Sequence, residues 1–161
     1  MPGEVLSAAL MRQHREVNAE IELFIEKLGA DGLQPELLTS MLEALRRHIY
    51  LEEVFVFPPI RETGIVMPIF VMMREHGQLW RTMETLAPLL ADGRDSLRLK
   101  DTCNQLLDQL HRHNFKEEPL VYLHADYHLP APTSAELSRF LVTGCIPDGW
   151  VCQQAGTKRS R

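Results

Sequence analysis

Two short phrases of this chain hold the residues that could do chemistry. Arg47-His48-Ile49-Tyr50-Leu51-Glu52-Glu53 and Arg112-His113-Asn114-Phe115-Lys116-Glu117-Glu118 each set a glutamate four residues after a histidine and then double the acid. On an α-helix a step of four turns by about 40° and rises about 6 Å, so each His shares a face with its Glu. A lone histidine precedes each phrase: His14, after Met11-Arg12-Gln13, and His76, after Met73-Arg74-Glu75. The interval from His14 to His48 nearly matches that from His76 to His113. The chain therefore reads as one unit written twice, a single His followed by His-x-x-x-Glu.

A single inward histidine is ordinarily a hydrogen-bonded core residue, and an isolated His-x-x-x-Glu an exposed helix pair. Duplication at matched positions points elsewhere. All six residues fall on the apolar stripes of their segments, and burying two carboxylates there costs several kcal/mol each unless something compensates. A pair of divalent cations removes that cost, because neutral imidazoles and ionised carboxylates are then the species the site requires. His14 and His48 would serve one cation, and His76 and His113 the other. Glu52 and Glu117 would be shared by both, giving each cation four protein donors. Room remains for a bridging oxygen and an exogenous ligand. Imidazole with carboxylate suits iron, manganese or zinc; without thiolate on the face, copper(I) and iron–sulfur clusters are disfavoured.

These residues need helices to position them, and the apolar pattern supplies four long ones. The first runs from about Val5 to Leu28, with Leu6, Leu10, Val17, Ile21, Phe24 and Leu28 near one stripe. The second starts at Pro35, a good first-turn residue, and is expected to end at Pro58-Pro59. The third spans about Pro68 to Ala91, its last turn weakened by Pro88. The fourth is capped by Asp95 and reaches about Ala125, with Leu99, Cys103, Leu106, Leu110, His113, Glu117 and Leu120 inward. Pro119 predicts a kink there. Short connections make this an all-α, antiparallel up-down-up-down four-helix bundle over residues 1–129. Residues 130–161 read as a Pro/Gly-rich C-terminal extension with one short helix near Ala135 to Leu141 and a basic tail, Lys158 to Arg161. Trp150, Ile146 and Val151 are expected to pack this arm on the bundle. Tyr50 and Phe115 are expected to lie between helices, and Met67, Phe70, Met72 and Met73 to fill the core.

Length and charge narrow the functional classes. The chain has 161 residues, 45% of them hydrophobic, and a net charge of −5, which disfavours a phosphate-bound nucleic-acid partner. No apolar run is long enough for a membrane span, and no signal-peptide pattern opens the sequence. A cytoplasmic protein is the expectation. Cys103, Cys145 and Cys152 then read as free thiols.

The pattern His14, His48–Glu52, His76, His113–Glu117 resembles that of the hemerythrin-like, or HHE cation-binding, family over about Met11 to Asp126. The doubled acids Glu52-Glu53 and Glu117-Glu118 resemble it too. The resemblance implies a non-haem centre of two Fe ions with an oxo or hydroxo bridge, held by these six residues. It also implies a small oxidant as ligand: O2, hydrogen peroxide or nitric oxide. One departure bears on the chemistry. Oxygen carriers of the family are expected to have a further His one turn after the third-helix His, where this chain has Trp80; the matching place in the first unit is Asn18. Both cations should then be open and alike, favouring redox handling of the oxidant over reversible oxygen carriage. An enzyme of this kind would decompose peroxide or react with O2 or NO. The alternative is a module for iron, oxygen or nitric-oxide sensing, or for iron storage, without turnover. Asn18, Trp80, Glu53 and Glu118 are expected around the ligands: Asn18 as a hydrogen-bond donor or weak ligand, Trp80 as an apolar wall, the two acids behind the imidazoles.

Overall fold

A computed structural model describes residues 5–30 and 32–156. It is all-helical, with no strand among the described residues. Among the described residues seven α-helices follow in order: α1 Leu6–Ala30, α2 Pro35–Leu51, α3 Phe57–Glu62, α4 Met67–Asp92, α5 Ser96–Glu117, α6 Leu123–His128 and α7 Ala131–Thr143. Two single π-turns, Glu52–Val56 and Glu118–Tyr122, join α2 to α3 and α5 to α6 without a break.

Local chemistry sets the boundaries. Pro35 lies in the first turn of α2, where its missing N–H breaks no helical bond. Gly93 ends α4 at φ +66, with its N–H on Leu89 O at 3.1 Å. The Asp95 carboxylate accepts from Arg98 N at 3.0 Å and caps α5, as expected. Pro88 leaves α4 intact to Asp92.

Pro58-Pro59 and Pro119 share one local structure. Pro58-Pro59 does not end the second long helix as expected, and at Pro119, where a kink is expected, the fourth helix is interrupted by a widened turn. In both places the ladder opens into a π-turn, with Phe57 N–H on Glu52 O, five residues back. The wider turn accepts residues that cannot donate, and the helix resumes. It also inserts one residue into the apolar rhythm. Leu120, expected inward, is 48% exposed, while Val121 and Tyr122 are fully buried. Other expected core positions lie outside: Phe115 is 83% exposed, and Met67 and Phe70 are exposed while Met72 and Met73 are buried.

α1 packs on α2 and α5, and α4 on α5 and α2. Their interior divides into two apolar clusters. One gathers Val17, Ile21, Phe24, Leu45, Leu79, Met83, Leu106 and Leu110. The other gathers Leu10, Leu51, Val56, Phe57, Met72, Val121 and Tyr122. His14, His48, His76 and His113 lie in sequence between the members of these clusters. The fold thus carries a polar layer sandwiched between two apolar ones.

α7 begins at Ala131, earlier than expected, and Leu137 and Phe140 face inward. Beyond it the arm crosses the helices. The Arg47 guanidinium donates to the carbonyls of Phe140, Leu141 and Gly144. Trp150 packs edge-on against Trp80 and Tyr50, at centroid distances of 5.6 and 5.0 Å. Cys152 and Ala155 are buried in the first cluster, whereas Val151 is exposed. Gly77 allows this approach, since a Cβ there would lie 2.5 Å from Gln154 O. The basic tail falls outside the described residues.

Candidate metal centre

The polar layer brings together all six residues singled out by the repeat. His14, His48, His76 and His113 are each 5% exposed or less, and Glu52 and Glu117 are fully buried. They form two overlapping groups. His14, His48, Glu52 and Glu117 each offer an atom within 4.8 Å of the others, as do Glu52, His76, His113 and Glu117. The imidazoles pair accordingly, with centroids 4.8 Å apart for His14–His48 and 5.0 Å for His76–His113.

Each imidazole turns Nδ1 outward to an acceptor. His14 Nδ1 lies 2.9 Å from Glu118 Oε2, His48 Nδ1 2.7 Å from Gln13 Oε1, His76 Nδ1 2.7 Å from Glu53 Oε2, and His113 Nδ1 2.9 Å from Glu75 Oε1. Those acceptors fix each ring and leave Nε2 facing the carboxylates, the orientation in which second-layer groups hold metal-binding histidines. The plan is two-fold. Gln13 and Glu75 precede the lone histidines, and Glu53 and Glu118 follow the inner glutamates. Glu53 also accepts from Gln153 N at 3.0 Å, tying the arm to the His76 side. Lys116 pairs with Glu75.

The inner ends are only partly satisfied. His76 Nε2 is 3.1 Å from Glu52 Oε1. Glu117 approaches His14 and His113 at 3.1 and 3.4 Å, yet neither of its oxygens nor His113 Nε2 has a hydrogen-bond partner among the described residues. Orphaned donor and acceptor atoms this deep are costly. Six imidazole and carboxylate donors with their lone pairs converging fit divalent cations.

Electrostatics agree. Burial alone would lower His14 and His113, but Glu117 and Glu118 hold His14 up at about 9, and Glu117 and Glu75 hold His113 up at about 10. His76 is raised against its burial by Glu52 and Glu53. Burial would raise the carboxylates, but His48 and His76 hold Glu52 well below its usual range. Glu117 is lowered by His113 and His14 despite its burial and the charge of Glu52. Burial likewise opposes the shift of Glu75, which His113 and Lys116 bring to about 2. Ionised carboxylates around imidazoles that accept protons readily make a strong basic site, and a cation competes with those protons for the same lone pairs.

Tyr122 is one residue that the spacing does not reveal. Its ring stacks on His14, its hydroxyl donates to Glu52 Oε2 at 2.6 Å, and it lies 2.7 and 2.9 Å from Nε2 of His14 and His48. Burial and the charges of Glu117 and Glu52 push its phenol well above its usual range. Opposite it, Phe57 stacks on His76. Trp80 is buried and packs against Trp150, with Arg46 over its ring at 5.6 Å. The small cavity beside the centre, with space for about one water-sized molecule (≈ 10 Å³), is lined by Leu79 and Asn18, not by Trp80. His111 and His128 are exposed, and His124 stacks on His128. All three cysteines are free.

A helical fold with paired His/Glu clusters in its core defines a class of cation-binding protein. The family model described as Hemerythrin HHE cation binding domain matches residues 5–124, and the chain belongs to this family. No curated protein and no solved structure matches the chain. No described helix is long and apolar enough to cross a membrane.

Proposed function

We propose that this chain is a cytoplasmic non-haem di-iron protein that handles a small oxidant, O2, hydrogen peroxide or nitric oxide. In this reading His14 and His48 would hold one iron, His76 and His113 the other, and Glu52 and Glu117 would serve both. The observation that carries it is the sharing: two four-residue groups have Glu52 and Glu117 in common. When bound, the irons supply redox capacity and Lewis acidity. The protein's part is positioning. Gln13, Glu53, Glu75 and Glu118 aim the imidazoles, Tyr122 fixes Glu52, and the two apolar clusters limit water. The helices α1, α2–α3, α4 and α5–α6 serve as an antiparallel up-down-up-down bundle within residues 1–129, and the described residues from 130 to 156 form an added arm.

A sensing module without turnover is the second reading. It is favoured by the contact of Gln153 N with Glu53, which links the arm to the His76 side.

Protein from iron-replete expression should absorb in the visible through ligand-to-metal charge transfer. His48→Ala and His113→Ala, each keeping at most one half loaded, should lose the part of that absorption that needs both ferric ions. A parent without it would sink both iron readings. Steady consumption of peroxide or O2 marks an enzyme; one stoichiometric spectral change followed by no turnover marks a sensor.

A further inference from the structure

Asn114 follows His113 on α5 and is 7% exposed, yet neither its Nδ2 nor its Oδ1 has a hydrogen-bond partner among the described residues. It lines the small cavity beside the centre, together with the four imidazoles and Glu52. Asn18 on α1 lines the same cavity, and its Oδ1 is likewise buried without a partner. The rest of the wall is apolar, with Leu45, Leu79 and Leu110 in it.

A buried amide left unpaired costs about 1–3 kcal/mol. Leucine has nearly the same shape and would join its apolar neighbours without that penalty. The fold gains nothing visible from the carboxamide, so its partner should be a cavity guest. The chemistry of that guest follows from the two free atoms. Nδ2 needs an acceptor and Oδ1 needs a donor. Dioxygen and nitric oxide only accept. Hydrogen peroxide does both, and it can replace a cavity water hydrogen bond for hydrogen bond. The cavity has space for about one water-sized molecule, so only a guest of a few atoms fits, with some give of its walls.

We propose that Asn114, with Asn18 on the same wall, forms a hydrogen-bonding subsite that selects hydrogen peroxide among small oxidants. This rests on the two-cation reading of the centre. Asn114 Nδ2 donates to one peroxide oxygen, and its Oδ1 accepts from a peroxide O–H. Asn114 is thus a specificity residue of the ligand pocket and holds no cation.

The test compares the parent, Asn114→Leu and Asn18→Leu as iron-loaded proteins, and also measures their melting temperatures without metal. In Asn114→Leu, kcat/KM for hydrogen peroxide should fall about tenfold or more, mainly through KM, as expected for a lost hydrogen bond. Reoxidation of the reduced protein by O2 should change less than about threefold. The metal-free variant should melt no lower than the parent. Asn18→Leu should show the same selective loss to a smaller degree.

An unchanged peroxide constant, an equal loss with O2, or a lower melting temperature would each overturn the subsite. So would a parent that carries two irons and consumes no peroxide. A parent that binds no metal instead defeats the reading of the centre, a separate result.

Discussion

The His14–His48 half of the centre and the His76–His113 half follow the same backbone plan, with different rings laid over them. Tyr122 comes five residues after Glu117 and stacks on His14; Phe57 comes five residues after Glu52 and stacks on His76. One half therefore has a phenol hydroxyl among its inward nitrogens, and the other has an apolar face. The outer acceptors differ too. His113 rests on the carboxylate of Glu75, whereas His48 rests on the neutral amide of Gln13. A repeated unit is enough to bring the six side chains together; it does not make the two halves alike. The expectation of two similar, open cations came from the missing third-helix histidine, and neither Tyr122 nor Gln13 entered it.

Removing a shared ligand should have the largest effect. Glu117→Ala should lose both cations, while His48→Ala should keep most of one; elemental analysis of the purified proteins reads this directly. Equal loss in the two variants would mean that the halves do not load separately.

The outer acceptors come next. A carboxylate behind an imidazole makes it a stronger ligand, typically by about 10–100-fold in metal affinity. Gln13→Glu should tighten the His14–His48 half by roughly that factor, and Glu75→Gln should weaken the other half. Competition with a chelator should strip the parent in two phases and Gln13→Glu in something closer to one. Two phases that persist in Gln13→Glu would place the inequality elsewhere.

Tyr122→Phe should make the rings alike. It removes the donor to Glu52 from a fully buried position, so the metal-free protein should lose about 1–3 kcal/mol in urea unfolding. No loss would show that the hydroxyl is idle without metal.

Gly77→Ala should act least on the centre. Its Cβ would displace the arm at Gln154 and slacken the bond from Gln153 N to Glu53, behind His76. Cys152, buried under the arm with its thiol pushed up to about 12, should become reactive towards a thiol reagent. Cys103, also buried and also at about 12, should stay protected. If both stay protected, the arm does not depend on the Gly77 contact.

The legibility of the sequence divides along similar lines. The six inward residues could be read because His-x-x-x-Glu needs only the helical period, and its recurrence marks matching depths. The acids Glu53 and Glu118 were visible as doubled residues. Gln13 and Glu75 leave a weaker signal, their shared place directly before a lone histidine. Tyr122 was hidden for a geometric reason. In a straight helix a residue five beyond Glu117 lies about 140° away from it. Only the π-turn at Glu118–Tyr122 carries it inward, and the same turn puts Leu120 outside. Proline in the sequence signalled a disturbance at Pro58 and Pro119 without telling a break from a widened turn. The docking of the arm through Arg47, Gly77 and Trp150 is tertiary and left no periodic trace.

The most direct test is a crystal of the iron-loaded protein examined by anomalous scattering at the iron edge. Two peaks are predicted in the core, one beside Nε2 of His14 and His48 and one beside Nε2 of His76 and His113, with Glu52 and Glu117 between them. A single peak, or iron only at the surface, would contradict the account.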